Sequence, residues 1–180
     1  MQGTTETDRK MWFSMWFVAS IATYGLAFFP MFYRLIESRN NHFRREANLE
    51  KQLAAYLKTQ GKELPETADS FGEMNAKAWA AAIILVIPAF VITYLLSRDL
   101  LIHEKRQDAV LASVFPERIF MPQTLPIKKY VLITIVTLGL GIVYWLYKTI
   151  NMYNLHFRAQ REVEKEIAKL MEEKKVGESM

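Results

Sequence analysis

The chain alternates between long uncharged stretches and densely charged ones. No Asp, Glu, Lys or Arg occurs in 11–33, 78–97 or 130–147, runs of 23, 20 and 18 residues. A helix needs about 20 apolar residues, and at least about 17, to cross a bilayer core of about 30 Å. The pattern therefore predicts an all-α membrane protein, a single domain over 1–180 with three transmembrane helices at about 11–33, 78–97 and 130–147. Aromatic side chains flank the first stretch, Trp12, Phe13, Trp16 and Phe17 at one end and Phe28, Phe29, Phe32 and Tyr33 at the other. Such rings favour the headgroup level, where an apolar body and a polar edge are both satisfied.

The charged stretches also read as helix. From Arg34 to about Lys58 there is no Pro or Gly, and helix formers dominate. The first span is thus expected to run on as one charged helix, ending near Gly61 and Pro65. Ser70-Phe71-Gly72-Glu73 reads as a capping box that opens the second span, whose helix continues beyond His103. Pro116, Pro122 and Pro126 predict an irregular loop over 115–129. The third span leads into a second charged helix, about 148–175. Each extension carries an apolar seam, which a charged helix in water needs to have packed. The two extensions are expected to pair as a short stalk.

The seams repeat because the sequence does. Residues 21–54 and 135–168 align without a gap, matching Ile21/Ile135, Thr23/Thr137, Gly25/Gly139, Tyr33/Tyr147, Ile36/Ile150, Asn40/Asn154, His42/His156, Phe43/Phe157, Arg44/Arg158, Glu50/Glu164, Lys51/Lys165 and Ala54/Ala168. The polar matches carry the weight, since no bilayer rule dictates them. A second face adds Leu49, Leu53 and Tyr56 to His42, and Val163, Ile167 and Leu170 to His156. Gly25, Gly139 and Gly141 fall within the predicted spans, where small residues let helices approach. Tyr94 and His103 show the same nine-residue spacing as Tyr33/His42 and Tyr147/His156, and Lys105 matches Arg44. This hints at a degenerate middle copy, in which little else matches. Half a turn out of phase, Tyr and His of one copy point to opposite sides of the helix.

Charge suggests an orientation. The tail and second loop carry eight basic residues, the first loop and C-terminal segment fifteen. With three crossings, this predicts an inner-membrane multi-pass protein with the N-terminus outside and the C-terminus cytoplasmic. The net charge of +4 suits a bilayer with anionic headgroups and makes no case for nucleic acid.

Candidate chemistry is sparse. There is no cysteine, which excludes disulfides and thiolate metal sites. No His-x3-His, His-Glu-x2-His, nucleophile triad or phosphate loop occurs, and no ionisable carboxylate or base lies inside a predicted span. His42 and His156 meet if the repeats pack side by side, but two rings leave a metal short of ligands. No catalytic, cofactor-binding or metal-ligating residue is therefore assigned. The expected working surface is one of packing and partner docking, formed by Gly25, Gly139, Gly141, Tyr33, Tyr147, Asn40, Asn154, His42, His156, Arg44 and Arg158.

The string from Thr137 to His156 resembles a family of small prokaryotic and archaeal integral membrane proteins whose defining domain has no assigned function. Thr137, Gly139, Tyr144, Trp145, Tyr147, Lys148, Asn154 and His156 fill its pattern. Thr23, Gly25, Tyr33, Asn40 and His42 fill it more loosely, with Phe32 near the Tyr-Trp position and Arg34 in place of Lys. The resemblance implies a membrane protein without assigned catalysis and transfers no active site. The expected function is a non-catalytic accessory subunit of a larger membrane complex, with other integral membrane subunits, the bilayer and a further copy as candidate partners. The alternatives are a small homo-oligomeric channel or transporter, and a metal-handling protein using His42 and His156.

Overall fold

The Thr-x-Gly sequences decide the architecture, because they reverse the chain where a span would continue. In the computed structural model, which describes residues 10–62, 71–85, 87–117 and 119–177, Tyr24 and Gly25 have φ of 50° and 92°, and Leu138 and Gly139 have 49° and 98°. Two consecutive left-handed residues break the helix, and glycine takes the second position without a Cβ penalty. Gly25 N–H donates to Ser20 O at 2.6 Å and Gly139 N–H to Thr134 O at 2.8 Å, the long bond of a Schellman-type helix end. The threonine ties both sides of the turn together. Thr23 Oγ1 donates to Ala19 O and accepts from Ala27 N–H, and Thr137 Oγ1 does the same with Ile133 O and Gly141 N–H.

The elements are α1 (Phe13–Ala22), α2 (Phe28–Lys58), α3 (Ala76–Ala82), a 3₁₀ turn (Ile83–Leu85), α4 (Ile87–Val114), α5 (Ile127–Val136) and α6 (Gly141–Gly177). The all-α expectation thus stands, and the three transmembrane helices do not. Among the described residues no helix is long and apolar enough to cross a membrane. The physical reason is the turn. α1 has ten residues and rises about 15 Å, half of a bilayer core of about 30 Å. α2 then begins with only six apolar residues before Arg34. The multi-pass inner-membrane topology, with its outside N-terminus and cytoplasmic C-terminus, rested on three crossings and falls with them.

Each uncharged stretch is a helical hairpin, a short rising helix followed by a long descending one. The middle stretch does this without glycine, through the 3₁₀ turn and Pro88 in the first turn of α4. Asn75, not Ser70, caps α3, accepting from Ala78 N–H at 3.0 Å, and Ser70 and Pro65 lie outside the described residues. Gly61, at φ 68°, follows the end of α2 as expected.

The three long helices run side by side in one register. Leu35, Arg39, His42, Glu46, Leu49 and Leu53 step by four and three residues alternately, the spacing of a coiled-coil seam. Leu96, Leu100, His103, Gln107, Val110 and Val114 repeat it on α4, and Thr149, Tyr153, His156, Gln160, Val163 and Ile167 on α6. All eighteen are buried or half-buried. The predicted two-helix stalk is therefore a three-helix one, with the middle copy as its third member. An upper apolar cluster holds Met31, Ile92 and Trp145, and a lower one Leu53, Val110 and Ile167. The polar layer lies between them.

The lateral contacts follow the same cyclic rule. Arg106 of α4 pairs with Glu50 of α2, and Arg45 of α2 pairs with Glu164 of α6 at 3.1 Å. The third equivalent pair is Ala159 and Leu111, both in the lower apolar cluster.

Candidate metal centre

The middle layer of the seam is three histidines. His42, His103 and His156 are 0, 3 and 0% exposed, and their potential ligand nitrogens lie within 4.8 Å of one another. Ring centroids are 5.3, 4.8 and 4.8 Å apart and the ring planes meet at 83–89°, a nearly equilateral array of edge-on rings. His42 Nε2 and His156 Nε2 face each other at 2.9 Å. Tetrahedral zinc holds nitrogens at about 2.0–2.1 Å, which sets pairs of them about 3.3 Å apart. The rings thus already stand near the separation a shared ion requires.

Two carboxylates complete the arrangement. Glu46, one turn after His42, places Oε2 2.9 Å from His103 Nε2 and 3.6 Å from His42 Nε2. It is the natural fourth ligand. Glu104 is fully buried and sits behind the site, with Oε1 2.8 Å from His156 Nδ1 and Oε2 accepting from Gln123 N–H at 2.8 Å. A carboxylate on the outer nitrogen fixes the tautomer and aims the inner lone pair at an ion. Below, Gln107 donates to Gln160, and a cavity of about 20 Å³ beside Glu46, Gln107 and Gln160 is large enough for one water.

The electrostatics put these groups in ligand form. Burial by itself would push the Glu46 carboxyl up, but the neighbouring charge and hydrogen bond of His103, with His42 and His156 beyond, hold it down at about 2. Burial drives the His156 imidazole down to about 4, aided by His42 and His103 and opposed by Glu104. At neutral pH the site therefore offers a carboxylate and a neutral imidazole, the protonation states metals bind.

Above this layer, Arg39 and Asp99 form a buried ion pair at 2.6 Å, and Arg39 also donates to Gly72 O at 2.7 Å. The Tyr153 hydroxyl donates to Leu96 O at 3.1 Å.

The residues expected to form a docking surface separate into three groups. His42 and His156 are in the centre of the bundle. Asn40 and Asn154 are backbone clamps. Asn40 Nδ2 donates to Met74 O and its Oδ1 accepts from Met74 N–H, which holds the start of the second hairpin. Asn154 does the same to Met11, the start of the first. Gly25 and Gly139 are hairpin tips rather than helix-packing positions, and nothing lies within 4 Å of a Cβ built at Gly25. Gly141 alone serves close approach, since a Cβ there would meet the Thr134 backbone at 2.8 Å. Tyr33, Tyr147, Arg44 and Arg158 remain at the surface: Tyr33 donates to Glu37, Tyr147 rests on Phe13 and Arg44 donates to Asn41.

No family model, curated protein or solved structure matches this chain.

His103, Glu46 and Glu104 are the members of the site that the repeat does not reveal. His103 has a signal in its spacing from Tyr94. A second signal is the polar residue one turn on in each copy, His42-x3-Glu46, His103-x3-Gln107 and His156-x3-Gln160. Glu104 has none, because its counterparts are Phe43 and Phe157.

Proposed function

We propose that this chain is a metal-binding protein that holds one divalent transition ion, of the zinc class, on His42, His103, His156 and Glu46. The observation that carries the reading is the convergence of three histidines, one from each hairpin, on one buried point with a carboxylate beside it. Three imidazoles and a carboxylate are a borderline-soft set that suits such an ion. Glu104 supplies the outer support that metal-ligating histidines ordinarily have. Burial of all four ligands favours a closed site, which joins three helices, over an open one that activates water. Metal handling, one of the readings open from the sequence with two histidines, gains here the third ring and the carboxylate it lacked.

The test is elemental analysis of the full-length protein purified without chelator. One equivalent of zinc-class metal per chain is expected. His42→Ala, His103→Ala and His156→Ala should each lose it, while Arg44→Ala, at the surface, keeps it. Helical parent protein that takes up no metal and competes with no colorimetric zinc indicator would sink the proposal.

A further inference from the structure

Exposed apolar surface is concentrated at one end of this protein. Among the described residues, 17 of the 21 large apolar side chains that stand exposed belong to the stretches 11–33, 78–97 and 130–147. The extreme cases are the turns themselves, with Tyr24 99% and Leu138 95% exposed, and Ile84 is 73% exposed at the tip of the middle hairpin. The three tips share an end of the bundle. A cleft of about 540 Å³ is walled by Leu26 and Phe28 of the first, Ile83 and Ile84 of the second, and Ile142 and Val143 of the third. Patches of this kind on a folded chain mark a surface that something covers.

Charge indicates what covers it. No Asp or Glu occurs in 11–36, 74–98 or 118–161. Where charge first returns on each hairpin it is positive: Lys10 and Arg34, Lys77 and Arg98, and Lys128, Lys129 and Lys148. All are exposed except Lys148, which is half-buried. Arg34 and Lys148 each come nine residues after the tip glycines Gly25 and Gly139, or about 14 Å along a helix. That is close to half of the roughly 30 Å hydrocarbon core. Trp16 and Tyr144 lie against these cations, with Arg34 5.8 Å from the Trp16 ring and Lys148 5.6 Å from that of Tyr144. Apolar tips of one-leaflet depth, with aromatic rings and then cations above a carboxylate-free base, match the layers of an anionic bilayer surface.

We propose that the three hairpin tips insert together into one leaflet of an anionic bilayer, without any helix crossing it. Tyr24, Ile84 and Leu138 enter the hydrocarbon, and the seven basic residues meet lipid phosphates. The histidine layer, eight residues beyond Arg34 and Lys148, lies outside the leaflet. This inference does not depend on the metal site.

The experiment adds full-length protein from outside to sealed vesicles of phosphatidylcholine, with or without phosphatidylglycerol. Expected results are cosedimentation that phosphatidylglycerol strengthens and salt weakens, and quenching of tryptophan emission by brominated acyl chains. The double variant Tyr24→Asp, Leu138→Asp should partition at least about 100-fold more weakly, since one such charge in hydrocarbon already costs about two decades. Asp tolerates the left-handed backbone at both positions, so the variant keeps its fold, which helical circular dichroism checks. Equal partitioning of parent and double variant would overturn the proposal. So would a parent that ignores both vesicles and self-associates until the tip charges disperse it, because a second copy would then cover the tips. With no cysteine in the chain, Tyr24→Cys gives a single label, and its reaction with a thiol reagent trapped inside the vesicles would also overturn it by showing a crossing.

Discussion

At the scale of single residues, the histidine layer sets the response to acid. The folded pKa of His156 is about 4 against an ordinary 6.5, so between these values the unfolded chain binds a proton that the folded chain does not. Stability contributed by the neutral ring is present above pH 6.5 and lost as pH falls towards 4. Glu46, held at about 2 against 4.5, acts in the same direction over a lower window. Each shift corresponds to a loss on the order of 3 kcal/mol once its window has been crossed. Urea unfolding of chelator-treated protein between pH 7 and 4 should show a falling midpoint with an unchanged slope. A flat midpoint would mean that the His156 ring titrates normally. How much of this site is legible in sequence depends on the residue. His42 and His156 stand out because Asn, Arg and Glu around them repeat. His103 is obscured because Leu101 replaces the clamp asparagine and the Thr-x-Gly turn is missing. Glu104 is invisible, since only the fold turns a charged-looking surface position inward.

At the scale of elements, the difference between a span and a hairpin is a matter of two left-handed residues. Hydropathy averages over eighteen residues or more and cannot register a reversal made by Tyr24-Gly25 or Leu138-Gly139. The charged helices, their ends and the loop before α5 are legible, because propensity, Gly61 and the prolines act locally. Glycine positions that look alike in sequence should therefore separate on substitution. Gly141→Ala forces a methyl group against the Thr134 backbone at 2.8 Å and should cost about 1–3 kcal/mol. Gly25→Ala meets no neighbour and should cost only the left-handed penalty of about 1–2 kcal/mol. Thermal melts of the two variants provide the comparison, and a Gly141→Ala protein as stable as the parent would contradict the tight packing of α5 on α6.

At the scale of the whole molecule, the three histidines bring one side chain from each hairpin to a single point. An ion there binds the folded chain and not the unfolded one, so its affinity adds directly to stability. The melting temperature should rise with zinc, fall on chelation and lose its metal dependence in His103→Ala. That last variant is informative because His103 comes from the hairpin least like the others. If zinc leaves the parent's melting temperature unchanged, the ion does not join the three helices.

The clamps run round the bundle in one sense and the lateral pairs in the other: Asn40 of the first hairpin holds the second and Asn154 of the third holds the first, while the Arg45, Arg106 and Ala159 positions of the first, second and third hairpins face the third, first and second. A set of contacts closed in this way is what three separate copies of one hairpin would make as a trimer, each lending a single histidine to the axis. In such a trimer every substitution is made three times over. Joined in one chain, the copies are free to drift apart, so one interface can exchange its ion pair for Ala159 and Leu111 and one hairpin can discard its clamp, while the axial ring stays the same in all three.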